Sequence, residues 1–162
     1  MIAVDTNVLV YAIAQDDPHH AASRRLLDAV AAGLMPACVF PQNLLEFYAV
    51  ATNSRRMAPP LTATQALTEI RNLRAIFPVV MPKESSLDCL LELAASAPTM
   101  AADIFDAFIA AQMVDAGINA VCTHNARDFA GFSVSAMTPE EIMDSLETSQ
   151  GGSRIVQDRP RR

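Results

Sequence analysis

Four stretches of this chain gather side chains able to do chemistry. Asp5-Thr6-Asn7 directly follows the apolar run Ile2-Ala3-Val4, which places Asp5 at the carboxyl end of a strand, where open parallel sheets form their ligand crevices. Asp103-Ile104-Phe105-Asp106 opens a helix, and at 100° per residue Asp106 shares a stripe with Ile109, Ala110 and Met113 while Asp103 stands about 60° away. Thr123-His124-Asn125-Ala126-Arg127-Asp128-Phe129 follows a second apolar run, Ala120-Val121-Cys122, again at a strand's carboxyl end. Glu46 is the fourth candidate, in a helix whose apolar face is Leu44, Phe47, Tyr48 and Ala51. Periodicity points Glu46 away from that face and predicts a solvated glutamate.

Each stretch also has a plainer reading. Asp5, Thr6 or Asp103 can cap a helix, and Asn125 and Asp128 are ordinary turn formers. Asp106 is harder to dismiss, because a carboxylate on a core-facing stripe is costly unless a donor or a cation meets it. Taken together, the acids suggest a carboxylate cluster at one end of a parallel sheet. Two carboxylates about 4 Å apart repel by roughly 4 kcal/mol at an effective dielectric near 20, so such a cluster calls for cations. Hard oxygen donors without His or Cys select Mg²⁺ or Mn²⁺ over zinc, and one or two such ions can bind and polarise a phosphodiester and lower the pKa of a bound water.

The elements that must position these groups alternate. Short apolar runs at 2–4, 35–40, 77–81, 120–122 and 132–136 read as buried parallel strands. Helical segments at 18–32, 41–52, 62–76, 84–97, 103–116 and 139–147 lie between them, with a further short helix possible over 7–14. Pro41, Ser85 or Ser86, and Thr138-Pro139-Glu140-Glu141 are start signals, and Gly33 and Gly117 are stops. The expected fold is an α/β three-layer sandwich.

Composition sets bounds on this reading. With 162 residues, 51% hydrophobic and 19% charged, the chain suits one domain with a sizeable core, expected over 1–147. Residues 148–162 read as a disordered, arginine-rich tail. No apolar run is long enough for a membrane span, and no secretory leader fits around Asp5. Cys38, Cys89 and Cys122 form neither a disulfide framework nor a CxxC pair, which favours the cytoplasm. The net charge is −6, and because residues 150–162 hold four arginines against Asp158, the body is more acidic still. An acidic body repels nucleic acid unless metal ions or a local basic patch intervene, and Arg24-Arg25 and Arg55-Arg56 are the best such patches. His19-His20, beside Asp16-Asp17-Pro18, reads as a solvated helix start before it reads as a metal site, and His124 as a group that positions substrate.

With Val4-Asp5-Thr6-Asn7-Val8-Leu9-Val10-Tyr11, Glu46, Asp106-Ala107-Phe108-Ile109-Ala110-Ala111 and Thr123 to Phe129 in this order, the chain resembles the PIN-domain family, and more narrowly its VapC-type toxin ribonucleases. The resemblance covers about 1–140. It implies a central, mostly parallel five-stranded sheet between helices, and endonucleolytic cleavage of RNA dependent on Mg²⁺ or Mn²⁺. Asp5, Glu46 and Asp106 match the family's acidic metal ligands. Asn125 stands where many members carry an acid, so Asp128 is expected to share that role. Thr6 and Thr123 resemble hydroxyls that hold the carboxylates and waters, and Asn7, Asp103 and Asn125 are expected to support them. Implied partners are a small antitoxin covering the acidic cleft and a second copy in a homodimer.

The residues leave two other readings. A nucleophilic phosphatase wants a second aspartate two residues after Asp5, where this chain has Asn7. A PIN fold with a degenerate site, serving as an RNA-binding or regulatory module, has Asn125 as its support.

Overall fold

Ile2-Ala3-Val4 has no polar side chain to offer solvent, and it becomes β1 (Ile2–Val4) inside a parallel sheet. The computed structural model of the chain describes residues 1–96 and 103–154. β1 is followed by α1 (Thr6–Tyr11), α2 (His20–Ala31), β2 (Ala37–Cys38), α3 (Pro41–Ala51), α4 (Ala63–Ile76), α5 (Ser85–Ser96), α6 (Asp103–Asp115), β3 (Ala120–Cys122), β4 (Ser135–Met137) and α7 (Pro139–Arg154). A short 3-10 turn, Ala126–Phe129, lies between β3 and β4. The sheet order is β2-β1-β3-β4, and all its pairings are parallel. β1 is central, with Ala3 opposite both Cys38 and Val121 and Val4 opposite Cys122.

Strand residues alternate between two cores. Val4, Val39 and Cys122 face one cluster with Val8, Leu9, Leu26, Leu27, Phe47, Leu73, Phe77 and Ile142, which come from α1 to α4, the end of α4 and α7. Ala3, Cys38 and Val121 face the other, with Phe40, Phe129 and the α6 residues Ile109, Ala110 and Met113. This is the three-layer α/β arrangement that continuous apolar strand runs require. Gly33 and Gly117 sit at φ +70° and +69°, a left-handed backbone conformation that glycine adopts without the strain other residues would bear, and they end α2 and α6. Thr138 and Glu141 exchange hydrogen bonds at the start of α7, with the Thr138 N–H donating to Glu141 Oε2 at 2.8 Å.

The structure departs from the five-stranded expectation at 77–81. There the sheet edge shrinks to a single bridge, Val39 opposite Val79, held by Val39 N–H to Pro78 O (3.2 Å) and Val80 N–H to Val39 O (2.9 Å). Pro78 and Pro82 lack the N–H groups a longer ladder would use, so four strands remain. α7 also runs past Glu147 to Arg154, so helix occupies the start of the stretch expected to be a tail, and 155–162 lie outside the described residues. Among the described residues no helix is long and apolar enough to cross a membrane.

Candidate active site

The site is built at the carboxyl end of β1. Asp5 leaves the strand in an extended conformation, its N–H donating to Cys122 O at 2.9 Å, and it both caps α1 and faces the cleft. One carboxylate oxygen accepts from the Thr6 N–H (2.6 Å). The other accepts from Asn7 Nδ2 (2.7 Å) and Thr123 Oγ1 (2.7 Å). The capping and site readings of Asp5 are therefore compatible, since one carboxylate serves both. Thr123 is fully buried; its hydroxyl also accepts from Asn7 Nδ2 (3.0 Å) and from the Asn125 N–H (3.0 Å). Asn7 Oδ1 in turn accepts from the His124 N–H at 3.2 Å. The first and third motifs are thus fastened together across β1 and β3.

α3 brings Glu46 to the same edge. Thr6 Oγ1 donates to Glu46 Oε2 at 2.8 Å, and Gln42 Nε2 donates to Glu46 Oε1 at 2.7 Å. Three polar residues that sequence reasoning misses complete this wall. Asn43 is fully buried; its Oδ1 accepts from the Phe40 N–H (2.9 Å), and its Nδ2 donates to Thr6 Oγ1 (3.2 Å). Gln42 Nε2 also donates to Phe105 O (2.9 Å), and Gln42 Oε1 accepts from Gln112 Nε2 (3.2 Å), which ties α3 to α6. The available signals are the i, i+4 spacing of Gln42 and Glu46 and a lone glutamine, Gln112, inside the otherwise apolar run 107–114.

These elements surround a cleft of about 640 Å³ lined by Asp5, Thr6, Glu46, Phe105, Asp106 and Asp128, with Asn7, Tyr11, Arg55 and Arg56 also on its walls. All four candidate acids therefore meet in one cleft. Asn125 lies on the loop after β3 and donates through Nδ2 to Asp128 Oδ2. The backbone of Asp103 opens α6, while its side chain lies outside what is described.

Electrostatics single out Asp5. Burial raises its pKa from 3.8 to about 6, against the lowering by hydrogen bonds from Thr123 and Thr6, with the charges of Glu46 and Asp128 adding to the rise. Cys122 directly precedes Thr123, but burial, reinforced by Asp5 and Glu140, pushes its thiol far above the ordinary range, so it is no nucleophile. Burial and the neighbouring His19 lower the pKa of His124.

Comparison with known proteins agrees with this architecture. Among solved structures, the chain is similar to DNA-bound VapBC from Salmonella typhimurium (TM-score 0.63, 19% identity, covering 86% of this chain and 99% of that one). It is also similar to VapBC2 from Rickettsia felis bound to a promoter DNA fragment (TM-score 0.61, 16% identity, 85% and 98% covered). A third is VapC20 from Mycobacterium tuberculosis, described as a toxin that cleaves the sarcin-ricin loop (TM-score 0.61, 19% identity, 83% and 98% covered). No curated protein matches the chain. The PIN domain family model matches residues 2–133, a span that runs from β1 through the loop bearing Asp128 and so takes in every wall of the cleft. Sheet order, cleft and matched span agree, and the chain belongs to the PIN domain family.

Proposed function

We propose that this chain is a metal-dependent endoribonuclease that hydrolyses RNA phosphodiester bonds, acting in the cytoplasm as the toxin of a toxin-antitoxin pair. The observation that carries this reading is the meeting of Asp5, Glu46, Asp106 and Asp128 in one open cleft, with Asp5 buried and its ionisation opposed by its acidic neighbours. The donor set fits Mg²⁺ or Mn²⁺: carboxylate oxygens, with no thiol and no imidazole on the cleft wall among the described residues. Asp5, Glu46, Asp106 and Asp128 would hold the ion, which when bound polarises a phosphodiester and acidifies a water. Thr6 and Thr123 fix the carboxylates of Glu46 and Asp5, Asn7 braces Asp5 against Thr123, and Gln42 restrains Glu46. Asp103 and Asn125 are proposed as supporting groups. Arg55 and Arg56, on the cleft wall, give an acidic protein a local attraction for RNA phosphates.

The same cleft offers a surface for an antitoxin. Phe105 is 57% exposed on its wall, so an apolar segment can dock there while an arginine enters among the acids. A homodimer is proposed on the resemblance to VapC-type toxins. The testing experiment is cleavage of structured and single-stranded RNA with Mg²⁺, Mn²⁺ or EDTA, with Asp5→Asn alongside. EDTA-sensitive cleavage that disappears in the variant supports the reading. The second reading, a degenerate regulatory module, is favoured by the hydrogen bond of Asn125 to Asp128, which engages one carboxylate oxygen. It expects no saturable Mn²⁺ binding and no cleavage.

A further inference from the structure

A second group of ligand-capable side chains is drawn from three distant parts of the chain. His19 precedes α2, His124 follows β3, and Glu140 stands in the first turn of α7, and one ligand atom from each lies within 4.8 Å of the other two. The two imidazole rings are 4.2 Å apart between centroids and tilted by 40°, with Tyr11 against both at 5.1 and 5.3 Å. The ring contacts alone give two histidines a reason to stack. Glu140, in the first turn of α7, brings a carboxylate to the same point.

We propose that His19, His124 and Glu140 form a second metal site, for one ion of the Zn²⁺ class, separate from the carboxylate cluster and clamping the start of α2, the loop after β3 and the start of α7 together. Two imidazole nitrogens and one carboxylate oxygen are the donor set that borderline divalent ions such as Zn²⁺, Co²⁺ and Ni²⁺ accept, and Mg²⁺ does not favour it. Three protein ligands leave a fourth position for water. The surroundings prepare His124 for the task. Its Nε2 lies 2.8 Å from the Oγ of Ser23, a fully buried serine of α2; in the tautomer protonated at Nε2 that N–H is donated to the serine and Nδ1 keeps its lone pair. Burial and the neighbouring His19 favour the neutral imidazole that a metal requires, against the charges of Glu140 and Asp17. His19 is set in place by its own N–H, which donates to Asp17 Oδ1 at 2.8 Å.

The clamp bears on the cleft through the backbone. The His124 N–H donates to Asn7 Oδ1, and Asn125 and Asp128 follow on the same loop, so an ion at His124 fixes the strand exit that carries them. The inference does not rest on the nuclease reading and survives its failure.

The test is a Zn²⁺ titration by calorimetry of the full chain without an affinity tag, in millimolar Mg²⁺ to hold the carboxylate cluster, beside His19→Ala, Glu140→Gln and Asp5→Asn. One Zn²⁺ per chain is expected for the wild type and for Asp5→Asn, with affinity weakened by about tenfold or more in His19→Ala and Glu140→Gln. Co²⁺ loaded in place of Zn²⁺ should shift the imidazole NMR signals of His19 and His124 together. Glu140 is exposed, so Glu140→Gln keeps the fold and the test remains decisive if His19→Ala does not. Absence of Zn²⁺ binding in the wild type, Zn²⁺ binding unchanged in both His19→Ala and Glu140→Gln, or loss of binding in Asp5→Asn alone would overturn the proposal.

Discussion

Thr6 Oγ1 donates to Glu46 Oε2 at 2.8 Å, joining the first residue of α1 to a helix that begins thirty-five positions later in the chain. The same hydroxyl oxygen accepts from Asn43 Nδ2 at 3.2 Å, so a single threonine orients a cleft carboxylate and satisfies a fully buried amide. This gives Thr6 two separable duties. Thr6→Val should lower RNA cleavage by about 10- to 100-fold and cost about 1–3 kcal/mol of stability, since it strands the Asn43 donor. Thr6→Ser should restore both, as read by single-turnover cleavage and denaturant melts. A Thr6→Val protein with unchanged cleavage would remove Thr6 from the positioning of Glu46.

Asp5→Asn should abolish cleavage while leaving the fold intact, and its stability should respond to pH differently from the wild type. A carboxyl group raised from 3.8 to about 6 on folding binds its proton more tightly in the folded state. Its contribution is therefore present in full below pH 3.8 and is lost as pH rises through about 6. The shift corresponds to about 3 kcal/mol at most. In metal-free buffer the wild type should gain stability relative to Asp5→Asn as pH falls from about 7.5 to about 5, as thermal melts at the two pH values would show. Parallel behaviour of the two proteins would contradict the raised pKa.

Mn²⁺ affinity should carry the mark of the same proton. Below about pH 6 a metal ion must displace it from Asp5, so the logarithm of the binding constant should fall by about one per pH unit there and level off above it. Titration of free Mn²⁺ by electron paramagnetic resonance across this range reads the slope directly. A flat profile would place the ion away from Asp5.

Arg55→Ala and Arg56→Ala should raise KM for RNA more than they lower kcat, because both side chains line the cleft as attractors of phosphate and neither belongs to the carboxylate set proposed to hold the ion. The salt dependence of binding should become shallower by about 0.7 in the log-log slope for each phosphate no longer neutralised. Filter binding at several salt concentrations with a catalytically silent background separates this from chemistry. An unchanged salt slope in both variants would take the two arginines out of RNA binding.

Much of the cleft is legible in the sequence because strand ends are legible. Asp5 and Thr123 each follow an unbroken apolar run, and parallel strands of that kind end on one side of the sheet. Glu46 is legible only through the family resemblance, since helical periodicity gives it to solvent. The structure resolves the discrepancy physically: α3 puts Leu44 and Phe47 in the core, and Glu46, off that face, lines the cleft. Asn43 is hidden because an asparagine three residues into a helix is ordinary, and its importance comes from Thr6, far away in sequence. The fifth strand fails to form because Phe77 to Met81 has the hydrophobicity of a strand, but Pro78 within it and Pro82 just after it stand where the ladder needs donors. The pairing of His19 with His124 has no local signature at all, since over a hundred residues separate them.

The central place of β1 has a consequence for biosynthesis. The first strand of this domain needs partners from both early and late in it: Ala3 pairs with Cys38, but Val4 pairs with Cys122, and Asp5 accepts a hydrogen bond from Thr123. A growing polypeptide that has not yet released β3 from the ribosome has Asp5 without its threonine and Asn7 without the His124 amide. Contacts of such long sequence separation close late. The cleft is therefore assembled only once nearly the whole domain has been translated, so a partly synthesised chain carries Asp5, Glu46 and Asp106 but neither Asp128 nor the arrangement that brings the four together.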